Sequence, residues 1–111
     1  MDVDLRRIAF SNRNLELFST HTVQGYLESQ GWEYSQTDGP FAIWRKGTKY
    51  YVCQPLIDGA SDYGARVHDM CREVADVHGV YPLDVFRELI ACLDDISELE
   101  LVKPGDSYQH R

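Results

Sequence analysis

The sequence has no run of ~18 apolar residues, so no segment reads as a membrane-spanning helix. Its opening stretch, MDVDLRRIAF, lacks the apolar middle region of a secretory signal, which makes a cytoplasmic protein the expectation. Cysteine is scarce: Cys53, Cys71 and Cys92 are widely spaced and set among apolar neighbours. An odd count without a framework predicts reduced, buried thiols in a reducing compartment. Cations are also short, with 11 Lys and Arg against 18 Asp and Glu and a net charge of −7. Nucleic-acid binding draws most of its affinity from cations on phosphates, so that class is disfavoured. The balance suits a basic protein surface, or solubility alone. A Gly-rich phosphate loop is missing as well, because Lys46-Gly47-Thr48-Lys49 lacks the upstream glycine and the strand-to-helix setting. No Ser or Cys has the local context of an activated nucleophile, and there is no internal repeat or low-complexity segment.

What remains is a chain of 111 residues, long enough to bury roughly two-thirds of its unfolded surface without a metal or disulfide. A hydrophobic fraction of 43% against 26% charged residues is that of a folded globular domain. Residues 1–19 read as an ordered arm: Leu5, Ile8 and Ala9 suggest a helical turn, Asn12 to Asn14 break it, and Leu15, Leu17 and Phe18 dock. A single domain is expected over 20–102, followed by a flexible tail over 103–111.

Within the domain, Thr20 to Gln30 predicts a helix capped by Ser19 or Thr20 and ended by Gly31, with Val23, Tyr26 and Leu27 on one face. Trp32 and Tyr34 alternate with Glu33 and Ser35 as in a half-buried strand, and Thr37-Asp38-Gly39-Pro40 is a turn. Phe41 to Lys46 and Lys49 to Gln54 predict two further strands joined at Gly47-Thr48 and closed by Pro55. A long helix follows, capped by Ser61 or Asp62 and stopped by Gly79, with an apolar stripe of Tyr63, Val67, Met70, Val74 and Val77. Its charges neutralise one another through Asp62 with Arg66, Asp69 with Arg72, and Arg72 with Asp76. Pro82 opens a last helix whose broad apolar side runs from Leu83 to Leu93, with Ile96 beyond. The order is helix, three-stranded antiparallel meander, then two helices packed on one face of the sheet: an α+β fold.

The hairpin is the most informative stretch. A two-residue turn at Gly47-Thr48 pairs Lys46 with Lys49, Trp44 with Tyr51, Ile43 with Val52 and Ala42 with Cys53. Both faces of that ribbon are apolar, and the helices have surface to cover only one; the other is covered by the arm of Leu5 to Phe18, by a second subunit or by a partner. The expectation is Phe41, Ile43 and Val52 inward, with Trp44 and Tyr51 outward as interface anchors, since aromatic residues dominate binding hot spots. Trp32, Lys46 and Lys49 join them as candidate partner-binding residues. Tyr63 and Arg66, with Asp62, form a second candidate recognition point at the loop-to-helix joint.

Other constellations are weaker. His68 and Cys71 stand one helical turn apart, with His78 beyond, but two ligands do not make a zinc site; no metal or cofactor is called for. Asp94, Asp95, Glu98 and Glu100 form an acidic helix end, which most often is a solvated face.

The stretch Tyr26-Leu27 to Gly31-Trp32, followed by a strand, a turn and a strand pair ending at Pro55, resembles the opening of HicA-type toxins. Those are small ribonucleases with a double-stranded-RNA-binding-like α-β-β-β-α fold. The resemblance implies that topology over residues 20 to about 80. The family's catalytic His stands early in the second strand after Gly-Ser, where this chain has Gly39-Pro40-Phe41-Ala42 and no His in the meander. Small acidic proteins of this order are also similar to type III secretion chaperones and YbjN-like domains, which bind other proteins. A looser likeness, through Gly31-Trp32, Trp44, Pro55, Asp62-Tyr63 and Arg66, is to bacterial domains associated with defence.

The reading is a non-enzymatic, acidic protein-binding module of adaptor, inhibitor (antitoxin) or chaperone type, in a bacterial or phage setting. Its expected partner is another protein, a second copy of the chain included, with no membrane and no nucleic acid. The competing reading is an atypical HicA-like ribonuclease or RNA-binding protein using His21 or His68.

Overall fold

The computed structural model describes residues 7–93 and 98–102. The elements run α1 (Asn12–Leu15), α2 (Thr20–Ser29), β1 (Glu33–Asp38), β2 (Phe41–Lys46), β3 (Tyr50–Pro55), α3 (Tyr63–His78) and α4 (Pro82–Ile90). The sheet is antiparallel in the order β1-β2-β3, so the expected α+β architecture with a three-stranded meander is what the chain adopts. The helices α2 and α3 meet the sheet through β3, and α4 packs across α2 and α3.

Local chemistry explains most boundaries. Ser19 Oγ accepts the Thr22 N–H at 3.1 Å and starts α2. Gly79, in the left-handed region at φ 70°, ends α3. Pro82 occupies the first turn of α4, where the Asp84 carboxylate accepts the Tyr81 N–H at 3.0 Å. The start of α3 departs from expectation: Asp62 makes no side-chain cap bond, because its carboxylate is engaged by Arg66 Nε at 3.3 Å. Asp69 pairs with both Arg66 and Arg72, whereas no Arg72–Asp76 bridge forms.

The hairpin register is one residue away from the two-residue turn. Lys46 pairs with Tyr50, Trp44 with Val52 and Ala42 with Gln54, leaving Gly47, Thr48 and Lys49 in a three-residue loop. Only Gly47 of these has positive φ, at 67°, whereas the common Asn-Gly-type tight turn needs it at both central positions, which β-branched Thr48 resists. A one-residue slip exchanges the faces of β3 relative to β2. The face toward the helices is therefore Ala42, Trp44, Val52 and Gln54, all buried. Trp44 is 2% exposed and points inward, which corrects the expected orientation; Tyr51, at 60%, points outward as expected. Phe41 and Ile43 share the outward side and are half-buried.

The N-terminal arm closes the core. Asn12 to Asn14 do not break a helix but form one, because Ser11 Oγ caps it through the Asn14 N–H. Ile8, Leu15 and Phe18 are buried in the same core as Val67, Met70 and Phe86. Asn14 is fully buried and bonds the backbone at Ala9 O, Glu100 O and Glu100 N–H. It thereby ties the arm to the segment 98–102, where Ile8 bridges to Leu101. Leu5, Asp94, Asp95, Ile96 and the expected tail over 103–111 lie outside the described residues.

Candidate binding surfaces

Two of the expected anchors are interior. Trp32 packs in the core and donates Nε1–H to His78 Nε2 at 3.2 Å, with the rings stacked at 5.9 Å. Trp44 donates to Gln54 Oε1 at 2.8 Å and meets Tyr34 edge to face. Neither presents a surface to a partner. For Trp44 alternation alone did not reveal this, because both hairpin faces are apolar and the register decides between them.

The exposed candidates gather at the hairpin tip. Arg45 lies over the Tyr51 ring at 5.9 Å, Lys46 over Trp32 at 5.4 Å and Lys49 over Tyr50 at 5.6 Å. Among the described residues no carboxylate comes within 4 Å of these three cations. Arg45 also donates to Ser35 Oγ at 3.3 Å. Lys46 is the anchored one: its Nζ donates to Gln30 O at 2.7 Å, at the end of α2, and lies 3.0 Å from His78 Nε2 at the end of α3. A cation is favoured at both helix ends. His78 accordingly accepts at Nε2 and carries its proton on Nδ1; burial, then Lys46, hold its pKa below the ordinary value, against a smaller opposing pull from Glu88.

At the opposite end of the hairpin, the loop-to-helix joint forms a groove. Pro40, Phe41, Pro55, Ile57, Ala60 and Tyr63 line an apolar cavity of about 140 Å³, together with Asp62 and Arg66. Beside it lies a second cavity of about 180 Å³ formed by Cys53, Met70, Asp69 and Glu73, with Phe41 and Arg66 common to both. Tyr63, the expected recognition residue, is 1% exposed, so its ring belongs to the core; its hydroxyl is buried without a hydrogen-bond partner. Burial, reinforced by Asp58, holds that phenol protonated. Arg66 is exposed and held by Asp62 and Asp69. Glu73 is exposed, pairs with no cation among the described residues, and has its pKa raised by partial desolvation and then by Asp69. Sequence reasoning singled out Tyr63 and Arg66 here but missed Phe41, Cys53 and Glu73, whose approach depends on how α3 lies along β3.

The remaining constellations separate. His68 stacks on Phe10 at 4.4 Å, nearly parallel, while Cys71 is fully buried with its thiol pushed up to about 12. His68 and His78 face different neighbours, and no three His, Cys, Asp or Glu side chains converge among the described residues. Only Cys71 of the thiols is fully buried; Cys53 is half-buried and Cys92 exposed, contrary to the expectation of buried thiols throughout. Burial raises both of their pKa values, so neither is an activated thiolate. His21 is exposed on α2, and neither it nor His68 makes a side-chain hydrogen bond to a described residue. Glu100 pairs with Arg13 at 2.6 Å, which ties it to the arm and not to a free acidic face.

No protein-family model, curated protein or solved structure matches this chain. No helix among the described residues is long and apolar enough to cross a membrane.

Proposed function

We propose that this chain is a protein-binding module that presents the outward face and tip of its hairpin to a partner protein. The observation that carries the reading is the Arg45 guanidinium over the outward Tyr51 ring, with Lys49 over Tyr50 beside it at the tip and no carboxylate within 4 Å of either cation among the described residues, on a chain of net charge −7. Tyr and Arg are enriched among residues that dominate interface energetics, and half-buried Ile43 extends the patch with apolar surface. Trp44 and Trp32 support this face from below instead of meeting the partner. Three clustered cations are few for neutralising a nucleic-acid backbone, which favours a protein surface. Adaptor, inhibitor and chaperone roles differ in the partner, not in the patch.

The test is affinity capture from the native host with wild type and the Arg45→Ala/Tyr51→Ala double variant, beside light scattering on both. A protein retained by wild type and lost with the variant, or a dimer that the variant dissociates, supports the reading. Identical capture and a monomer in both cases remove it. RNA cleavage by wild type that disappears with His21→Ala or His68→Ala would replace it with the HicA-like ribonuclease reading.

A further inference from the structure

We infer that His78 and Lys46 form a pH-operated latch on the hairpin tip: the neutral ring holds the Lys46 ammonium against the ends of α2 and α3, and protonation releases it to the tip surface. The bearing of the latch on partner binding rests on reading the tip as the binding surface, whereas the latch itself does not.

Of the three tip cations, Lys46 reaches back to the helices. Its Nζ donates to Gln30 O at 2.7 Å and lies 3.0 Å from His78 Nε2. The Trp32 indole donates to the same Nε2 at 3.2 Å, so two donors share the single lone pair of a neutral ring nitrogen. A proton on Nε2 removes that acceptor and sets a second cation against Lys46. Repulsion at this distance outweighs the one remaining hydrogen bond to Gln30 O. Packing decides which group yields. Trp32 is 2% exposed and stacked on the ring, and His78 stands on the last turn of α3. Lys46 ends a long, flexible side chain beside an open groove of about 730 Å³, which Tyr50, Val77 and Val80 also line. The ammonium therefore moves, and the groove gives it room.

The charges around the ring keep the latch closed at neutral pH. Burial, then Lys46 of β2, disfavour the protonated ring; Glu88 of α4 opposes them more weakly, with its carboxylate bonded to the Tyr26 hydroxyl at 2.7 Å. No carboxylate among the described residues lies within 4 Å of the ring nitrogens, so an arriving proton meets no local counter-ion. Once released, Lys46 joins Arg45 and Lys49 as a third free cation at the tip. An acidic partner surface then binds more tightly to the protonated form, and by linkage it raises the pH at which His78 protonates.

The test is NMR of the whole chain titrated from about pH 8 to about pH 5, following the His78 ring nitrogens, the Trp32 indole N–H and the end of the Lys46 side chain. All three are expected to move together, with one midpoint below 6.5. Exchange of the Tyr50 amide, which faces Lys46 across the hairpin, should run about fivefold faster below that midpoint, after correction for the intrinsic pH dependence of exchange. His78→Gln removes the step from the Lys46 signal, and Lys46→Met moves the His78 midpoint up toward 6.5. A Lys46 signal that stays flat through the His78 transition means that the ring turns instead, and overturns the latch. A His78 midpoint unmoved by Lys46→Met overturns it as well. The wild-type titration decides the matter alone where a variant does not fold. It also needs no partner: a flat titration beside a captured partner removes only the latch, and a working latch with no capture removes only the binding reading.

Discussion

The Trp44 indole donates its Nε1–H to the Gln54 Oε1 at 2.8 Å in a fully buried site, and the same amide donates from Nε2 to the Thr20 carbonyl at 2.9 Å. One glutamine side chain thus couples β2 to β3 and β3 to the start of α2. Gln54→Leu keeps the volume but strips the indole of its acceptor. The expected loss is ~1–3 kcal/mol in urea unfolding, with a changed Trp44 emission; no loss of stability would show that the relay is dispensable.

Gly64 sits where α1 crosses α3. A Cβ there would lie 2.2 Å from the Asn12 carbonyl oxygen, which is backbone and has no rotamer to yield. Within an exposed helix, Gly→Ala stabilises by ~1 kcal/mol. Here the steric cost wins, and Gly64→Ala is expected to destabilise by ~1–3 kcal/mol. A midpoint unchanged or raised in denaturant unfolding would show that α1 does not approach α3 this closely.

Asn14 makes three hydrogen bonds to backbone 5 and 86 residues away in sequence. Asn14→Ala leaves the Glu100 N–H and two carbonyls without these partners, at ~2–4 kcal/mol. Amide exchange should accelerate most at Ala9 and Glu100, because Ala9 N–H donates to the Glu100 carbonyl that Asn14 holds in place. Uniform acceleration across the chain would instead mark Asn14 as an ordinary contributor to the global fold.

Where local chemistry sets the structure, the sequence is legible. Ser19, Gly79 and Pro82 bound helices through caps and backbone preferences that act within a few residues, and the expected α+β order follows from them. What escapes is set by long-range choices. Gly47-Thr48-Lys49 accommodates a two- or three-residue loop, and the difference turns Trp44 from an expected surface anchor into core. Asn12 to Asn14 look like a helix breaker until Glu100 is brought beside them. The same division holds for the surfaces: the cations at the hairpin tip are visible as a run, whereas Glu73 reaches the groove only because α3 lies along β3.

His78 makes the stability of this fold depend on pH. Its Nε2 accepts from Trp32 and lies 3.0 Å from Lys46 Nζ, so protonating the ring turns Nε2 into a donor that faces the Trp32 N–H and the Lys46 ammonium. Its folded pKa lies below the ordinary 6.5, chiefly through burial and then through Lys46, with Glu88 opposing. The unfolded chain therefore takes up a proton at a higher pH than the folded one. The stabilisation from neutral His78 is complete above about 6.5, falls as pH drops from there to the folded value, and is level below it. Urea unfolding across that window should show a decline for wild type that is smaller in His78→Gln, whose amide still accepts but does not titrate. Subtracting the two profiles removes the carboxylates common to both proteins. Parallel profiles would mean that His78 titrates alike in the folded and unfolded chain, and that the Lys46 contact does not hold it neutral.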